Sequence, residues 1–180
     1  VTTALGKRIY VAELAQKVLD GVVAHFDAAD VALPDRRYIA PGNPQLIAWD
    51  CEQLVVSLTG IGWGSAPDAA VGSVKPGAQM SVQGVRHAVF SIQLVRCTPK
   101  SNDTRTPWPP AAEIQAAGVD FMRDSGLLSQ ALVTLLAELR QGLAQDRSGV
   151  VEAGALTSLG PEGGYHGMEA TLAITSLMLA

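Results

Sequence analysis

The chain has 180 residues, 48% of them hydrophobic and 17% charged, and a formal net charge of −4. That length suits one ordinary core, and the apolar content excludes an intrinsically disordered chain. No apolar run approaches the roughly 18–20 residues that a membrane-spanning helix needs, and the opening VTTALGKRIYVAELAQK has no signal-peptide core. An isoelectric point near 5.3 leaves no basic footprint for gripping phosphates. The chain is therefore expected to be made in the cytoplasm and to bind neither a membrane nor a specific nucleic acid sequence.

From Tyr10 to Phe26, the residues Val11, Leu14, Ala15, Val18, Leu19, Val22, Val23 and Phe26 recur at three- and four-residue steps. This predicts an amphipathic helix over 10–26 with one face on a core. Residues 27–43, with Pro34, Pro41 and Gly42, read as a loop around one short strand at Arg37-Tyr38-Ile39-Ala40. Leu54, Val56 and Leu58 alternate with their neighbours, as do Ala88, Phe90, Ile92 and Leu94, which predicts strands over 53–62 and 85–97. An antiparallel hairpin pairing Leu54 with Leu94 sets Val56 opposite Ile92, Leu58 opposite Phe90, His87 near Ile61, and Cys51 opposite Cys97. Its connection, Gly60 to Gly84, is too long and too rich in Gly, Pro and Ser for a tight turn, and loops of that kind carry function or move.

Beyond the polar, Pro-rich link 98–110, a stripe through Ile114, Ala117, Phe121, Leu128, Leu132, Leu135, Leu139 and Leu143 marks a helix over 110–144, with Pro109 and Pro110 at its start. Gly118 and the pair Ser125-Gly126 weaken its middle, so a break is expected near Ser125. Residues 149–159 and 166–177 read as two strands around the turn Gly160 to Gly164. The order helix, hairpin, long helix, hairpin defines an α+β fold in a single domain. Its sheet is mostly antiparallel, two or three helices pack on one face, and a long loop joins the first two core strands.

Catalysis requires a nucleophile with a base in reach, paired carboxylates, or ligands at metal spacing. His25, His87 and His166 fall in three separate elements, and each reads as an ordinary surface or core histidine. Two cysteines are too few for a disulfide framework and lack CxxC spacing, so Cys51 and Cys97 read first as free thiols packed as a cross-strand pair, to be joined as a disulfide only after release into oxidising surroundings, with His87 too far along its strand to activate Cys51. Gly60-Ile61-Gly62-Trp63-Gly64 is not followed by a helix or by GK[ST], as a phosphate loop would be. Trp63 is either an interface anchor or a cap on the core. The leucine stripe is no wider than a core-facing helix requires, which leaves the long loop and the open sheet edges as the candidates for self-assembly. No catalytic, metal or cofactor residue is assigned, and the chain reads as a protein other than an enzyme.

Four segments, in this order, resemble tail terminator proteins of long-tailed, siphovirus-type actinobacteriophages: Tyr38-Ile39-Ala40-Pro41-Gly42-Asn43-Pro44, Ala48-Trp49-Asp50-Cys51-Glu52-Gln53-Leu54-Val55-Val56, Arg96-Cys97, and Gly163-Gly164-Tyr165-His166-Gly167-Met168-Glu169-Ala170. The resemblance implies a structural virion protein with a compact α+β fold and no catalytic residues. It further implies a homo-oligomer, typically a hexameric ring, assembled in the host cytoplasm on the head-proximal end of the tail tube. Such a ring ends tube polymerisation and joins the tail tube protein to the head-tail connector or stopper protein. DNA passes through its lumen without specific binding, and an acidic chain suits that passage. In such a ring the long loop becomes a contact to a neighbouring subunit or the tube, through Trp63, Ser65, Pro67, Asp68, Val74, Lys75, Pro76 and Met80. The nearest alternative is another head-to-tail connector or tail-completion protein. A more distant one is a small-molecule-binding domain or enzyme with a pocket near Trp63 and Cys51.

Overall fold

Side chains alternate across a strand, so a segment with one strongly apolar face can pair in only one register without turning that face outward. The computed structural model describes residues 10–42, 52–63, 86–99, 109–145, 149–162 and 165–176. In it β2 (Gln53–Trp63) and β3 (Arg86–Cys97) pair antiparallel, with Leu54 opposite Leu94, Val56 opposite Ile92 and Leu58 opposite Phe90. That is the expected register. It shifts by one residue between Leu58 and Gly60, so His87 stands opposite Gly62 instead of Ile61. An extra residue in one strand does this, and a glycine beside it eases the kink.

β6 (Tyr165–Ser176) pairs antiparallel along the other edge of β3, from Arg86 opposite Ser176 to Cys97 opposite Tyr165. β1 (Arg37–Pro41) runs parallel to β2, Tyr38 beside Val55. The single strand expected over 149–159 is two stretches, β4 (Gly149–Ala153) and β5 (Thr157–Glu162), both paired antiparallel with β6. Between them Gly154, Ala155 and Leu156 leave the strand. Pairing resumes one residue out of step, from Val150 opposite Thr175 to Thr157 opposite Glu169. The strand order is β1-β2-β3-β6-β4, with β5 also beside β6. The described fold is thus α+β, with one mostly antiparallel sheet of six strands.

Two helices cover one face of this sheet. α1 (Val11–Ala28) buries Leu14, Ala15, Val18, Leu19, Val22 and Phe26, the stripe read from its sequence. α2 (Ala111–Gln145) buries Leu128, Ala131, Leu132, Leu135 and Leu139, all part of one cluster with Leu54, Phe90, Ile92, Leu94, Leu172 and Ile174. The helices pack together at Gly21, where any Cβ would strike Leu135. Arg140 closes the far end by donating from Nε and Nη2 to the Val151 carbonyl of β4, at 3.1 and 2.9 Å.

α2 runs unbroken through Ser125-Gly126, which corrects the expected break. A helical glycine costs about 1 kcal/mol, whereas burying a leucine yields about 1.5–3 kcal/mol, and α2 buries four of them just beyond the glycine. Ser125 also folds its hydroxyl back onto the Phe121 carbonyl at 2.7 Å, a bond that helices accommodate. The N-terminal part of α2 is different: from Ala111 to Arg123 only Ala117 and Phe121 are even half-buried. That part projects past the packed core.

The other face of the sheet is buried in part as well. Val55, Ser57, Ser91, Gln93, Val95 and Ala173 are buried there. Several of its polar groups pair with one another, with Ser91 Oγ donating to Glu169 Oε1 at 2.5 Å, Gln93 Nε2 to the same oxygen at 3.3 Å, and the Tyr38 hydroxyl to Gln53 Oε1 at 3.1 Å. Among the described residues no helix is long and apolar enough to cross a membrane.

Two glycines test this packing in opposite directions. Gly126 has nothing within 4 Å of where a Cβ would sit, so Gly126→Ala should raise stability, by about 0.5–1 kcal/mol. Gly167 faces the Leu94 carbonyl and the Val95 Cα, backbone atoms that cannot step aside. Gly167→Ala should cost about 1–3 kcal/mol. Urea unfolding of the two variants measures both, and a stabilised Gly167→Ala would contradict the close strand approach.

Candidate functional site

The segments flanking the hairpin core bring three core-side residues together at one end of the sheet. Arg96 stands opposite His166 in the β3–β6 ladder. Glu52, just ahead of β2, presents Oε2 to Arg96 Nη1 at 3.4 Å and accepts the Cys97 N–H on Oε1 at 3.0 Å. α2 passes over all three with Ala117, Asp120, Phe121 and Asp124.

Arg96 is the hub. Its Nε donates to Asp124 Oδ2 at 2.9 Å and its Nη2 to the Ala32 carbonyl at 2.7 Å. One planar guanidinium thereby joins β3 to α2, to the segment after α1, and to the start of β2, which a point-charged lysine could not do. Asp124 has no exposed surface and takes a second cation, Arg123, on Oδ1 at 3.3 Å. Arg123 in turn pairs with Asp120 at 2.9 Å. A buried carboxylate is tolerated only with such partners.

His166 lies beside this network, half-buried, with its ring edge-on to Phe121 at 6.0 Å between centroids and 64° between planes. Burial pushes its pKa below the ordinary 6.5, against Glu52 and Asp124, which pull it upward. Its Nε2 is buried without a hydrogen-bond partner among the described residues, and so is Thr98 Oγ1.

Two clefts flank the imidazole, sharing Pro99, Ala117 and His166. One, of about 580 Å³, is charged and lined by Asp30, Glu52, Arg96, Glu113, Asp120 and Arg123. The other, of about 280 Å³, is apolar and lined by Ile114, Phe121 and Leu159 together with Thr98 and Ser158. Among the described residues no group of three or more His, Cys, Asp or Glu is placed to hold a metal ion.

Of the residues singled out from sequence, Trp63 closes β2. Its side chain, and Ser65, Pro67, Asp68, Val74, Lys75, Pro76 and Met80, lie outside the described residues. Cys97 ends β3 and is disulfide-bonded, which corrects the expectation of free thiols; Cys51, the only other cysteine, lies outside the described residues. His25 sits in the last turn of α1, and His87 is held near Gly62, where a Cβ would come within 2.7 Å of its ring. The Arg96 hub was not foreseen. Its signal was present, because Asp124 falls on the apolar stripe between Phe121 and Leu128, and a charge in that position calls for a buried partner. No protein-family model matches the chain, and no curated protein matches its sequence.

Replacing Arg96 by Met leaves Asp124 buried without its main partner and should cost about 3–5 kcal/mol. Adding Asp124→Leu should recover much of that loss. Glu52→Gln, at a side chain 47% exposed, should cost less than about 1 kcal/mol. Urea unfolding of the double-mutant cycle checks all three.

His166 sets a pH dependence. Its folded pKa is depressed, so the unfolded chain takes up the proton first. Stability is full above 6.5 and falls as the pH drops through the folded value. Between about pH 7.5 and 5 the wild type should lose more stability than His166→Gln. Equal losses in parallel denaturation series would show that the imidazole is not desolvated.

Proposed function

We propose that the protein is a structural subunit of a phage virion, forming a ring that caps the head-proximal end of the tail tube. The ring ends tube polymerisation and offers the joint to the head connector or stopper protein. The observation that carries this reading is a convergence. The described parts of the four segments that resemble tail terminators lie far apart in sequence, yet they fall on adjacent strands: β1, the start of β2, the end of β3 and the start of β6. Three of them meet at Arg96, at the end of β3, which stands opposite His166 and bonds Glu52, as well as Asp124 and the Ala32 carbonyl. These charges fasten elements together, which is what a rigid assembly unit needs.

A ring subunit also needs two different contact surfaces on opposite sides, because head-to-tail contacts generate closed rings. The sheet supplies opposed edges, β1 at one side and β4 with β5 at the other. A net charge of −4 leaves DNA in the lumen free to slide. Light scattering of the purified protein, alone and mixed with tail tubes, together with electron microscopy of the mixture, tests the reading. Hexameric rings capping one tube end are expected. A monomer that ignores the tubes overturns the proposal.

A further inference from the structure

Cys97 is joined in a disulfide, and the chain holds one other cysteine, so its partner is Cys51. Counting two residues beyond the described pair of Gln53 with Val95 reaches both of them. Whether such a bond is a permanent staple or a reversible one depends on access, since exposed disulfides are the labile ones. Cys97 is exposed, and it borders the charged cleft of about 580 Å³. A small thiol can reach it there.

The residues next to the two cysteines are what the bond acts on. Glu52 follows one and Arg96 precedes the other, and their side chains pair at 3.4 Å. Glu52 also accepts the Cys97 N–H at 3.0 Å. Its side chain is 47% exposed, so by itself this pair is weak and competes with water. A covalent tether on the adjoining residues changes that, because it holds the two charges at a high effective concentration. The coupling is reciprocal. Whatever the bond adds to the pair, the pair adds to the bond.

We propose that the disulfide at Cys97 is a reversible redox latch on the Arg96 network, open where small thiols are kept reduced and closed in oxidising surroundings. Closure fastens Glu52 to Arg96 and to the Cys97 amide, while opening leaves Arg96 with Asp124 and the Ala32 carbonyl. The oxidant is a low-molecular-weight disulfide such as oxidised glutathione. One protein thiolate attacks it and releases a small thiolate, and the second protein thiolate then displaces the other half from the mixed disulfide. The protein gains one S–S bond, the small disulfide takes up two electrons, and the two thiol protons end on the released thiols. None of this requires a ring, so the latch and the ring reading stand or fall separately.

The test equilibrates the whole chain in glutathione buffers from fully reduced to fully oxidised, counts its thiols by alkylation and mass, and follows the Cys97 amide by hydrogen exchange. Complete interconversion is expected, with slower Cys97 exchange in the oxidised form. Cys51→Ser should exchange like the reduced wild type in every buffer. Oxidation should lower the unfolded fraction roughly thirtyfold to a thousandfold in urea, because the closed loop restricts the unfolded chain. Glu52→Gln should move the glutathione equilibrium about twofold to fivefold toward the dithiol. A bond that survives the reducing buffer is a permanent staple, and thiols that stay free in the oxidising one mean no bond forms. Either result overturns the latch, as does Cys97 exchange or a Glu52→Gln midpoint that does not move.

Discussion

A carboxylate with no exposed surface sits in the middle of α2, and the architecture around it is arranged to make that bearable. Asp124 receives Arg96 from β3 and Arg123 from its own helix, and Arg96 spends its remaining donors on Ala32 and Glu52. Removing water from an ion costs several kcal/mol, recovered only when geometry and partners are good. The relative placement of α2, β2, β3 and the segment after α1 is therefore tied to one guanidinium. Apolar packing accounts for the rest of the core, where Phe26, Phe90, Leu54, Ile92 and Leu172 are fully enclosed. Packing of that kind is tolerant of small slides, and a forked hydrogen-bond donor is not.

The parts of this fold that could be read in advance share a physical basis. The β2–β3 register was legible because Leu54, Val56 and Leu58 face Leu94, Ile92 and Phe90, so a slip of one residue would turn all of them outward. α1 was legible because its buried stripe has helical spacing. The irregularities were not. Nothing in Thr59-Gly60 or Gly154-Ala155-Leu156 separates a strand residue from one that steps out of the ladder, since that outcome depends on the partner strand. The predicted break in α2 failed for a related reason. Gly126 was judged by its local cost, while the helix is held by leucines whose partners lie on distant strands.

The candidate site was legible in outline only. The same pairing arithmetic that aligns Leu54 with Leu94 extends to Glu52 and Arg96, and a charge at Asp124 interrupts an otherwise apolar stripe. What linked them was invisible, because the loop turning Ala32 toward Arg96 contains Asp30 at a φ of 54°, a left-handed conformation that sequence alone does not announce. The residues favoured as an interface, on the connection after Trp63, are outside the described residues, and the Arg96 network lies at the opposite end of the sheet.

The long helix gives this end a mechanical character. α2 is clamped over its second half by Leu128, Leu132, Leu135 and Leu139, while its first half projects with little beneath it. Such a beam has a fulcrum, and the fulcrum is Asp124 on Arg96. A load applied to the projecting arm reaches the sheet through an ion pair whose attraction grows as surrounding water is displaced. Any partner that displaced water from the clefts beside it would strengthen the joint with no change in its own geometry.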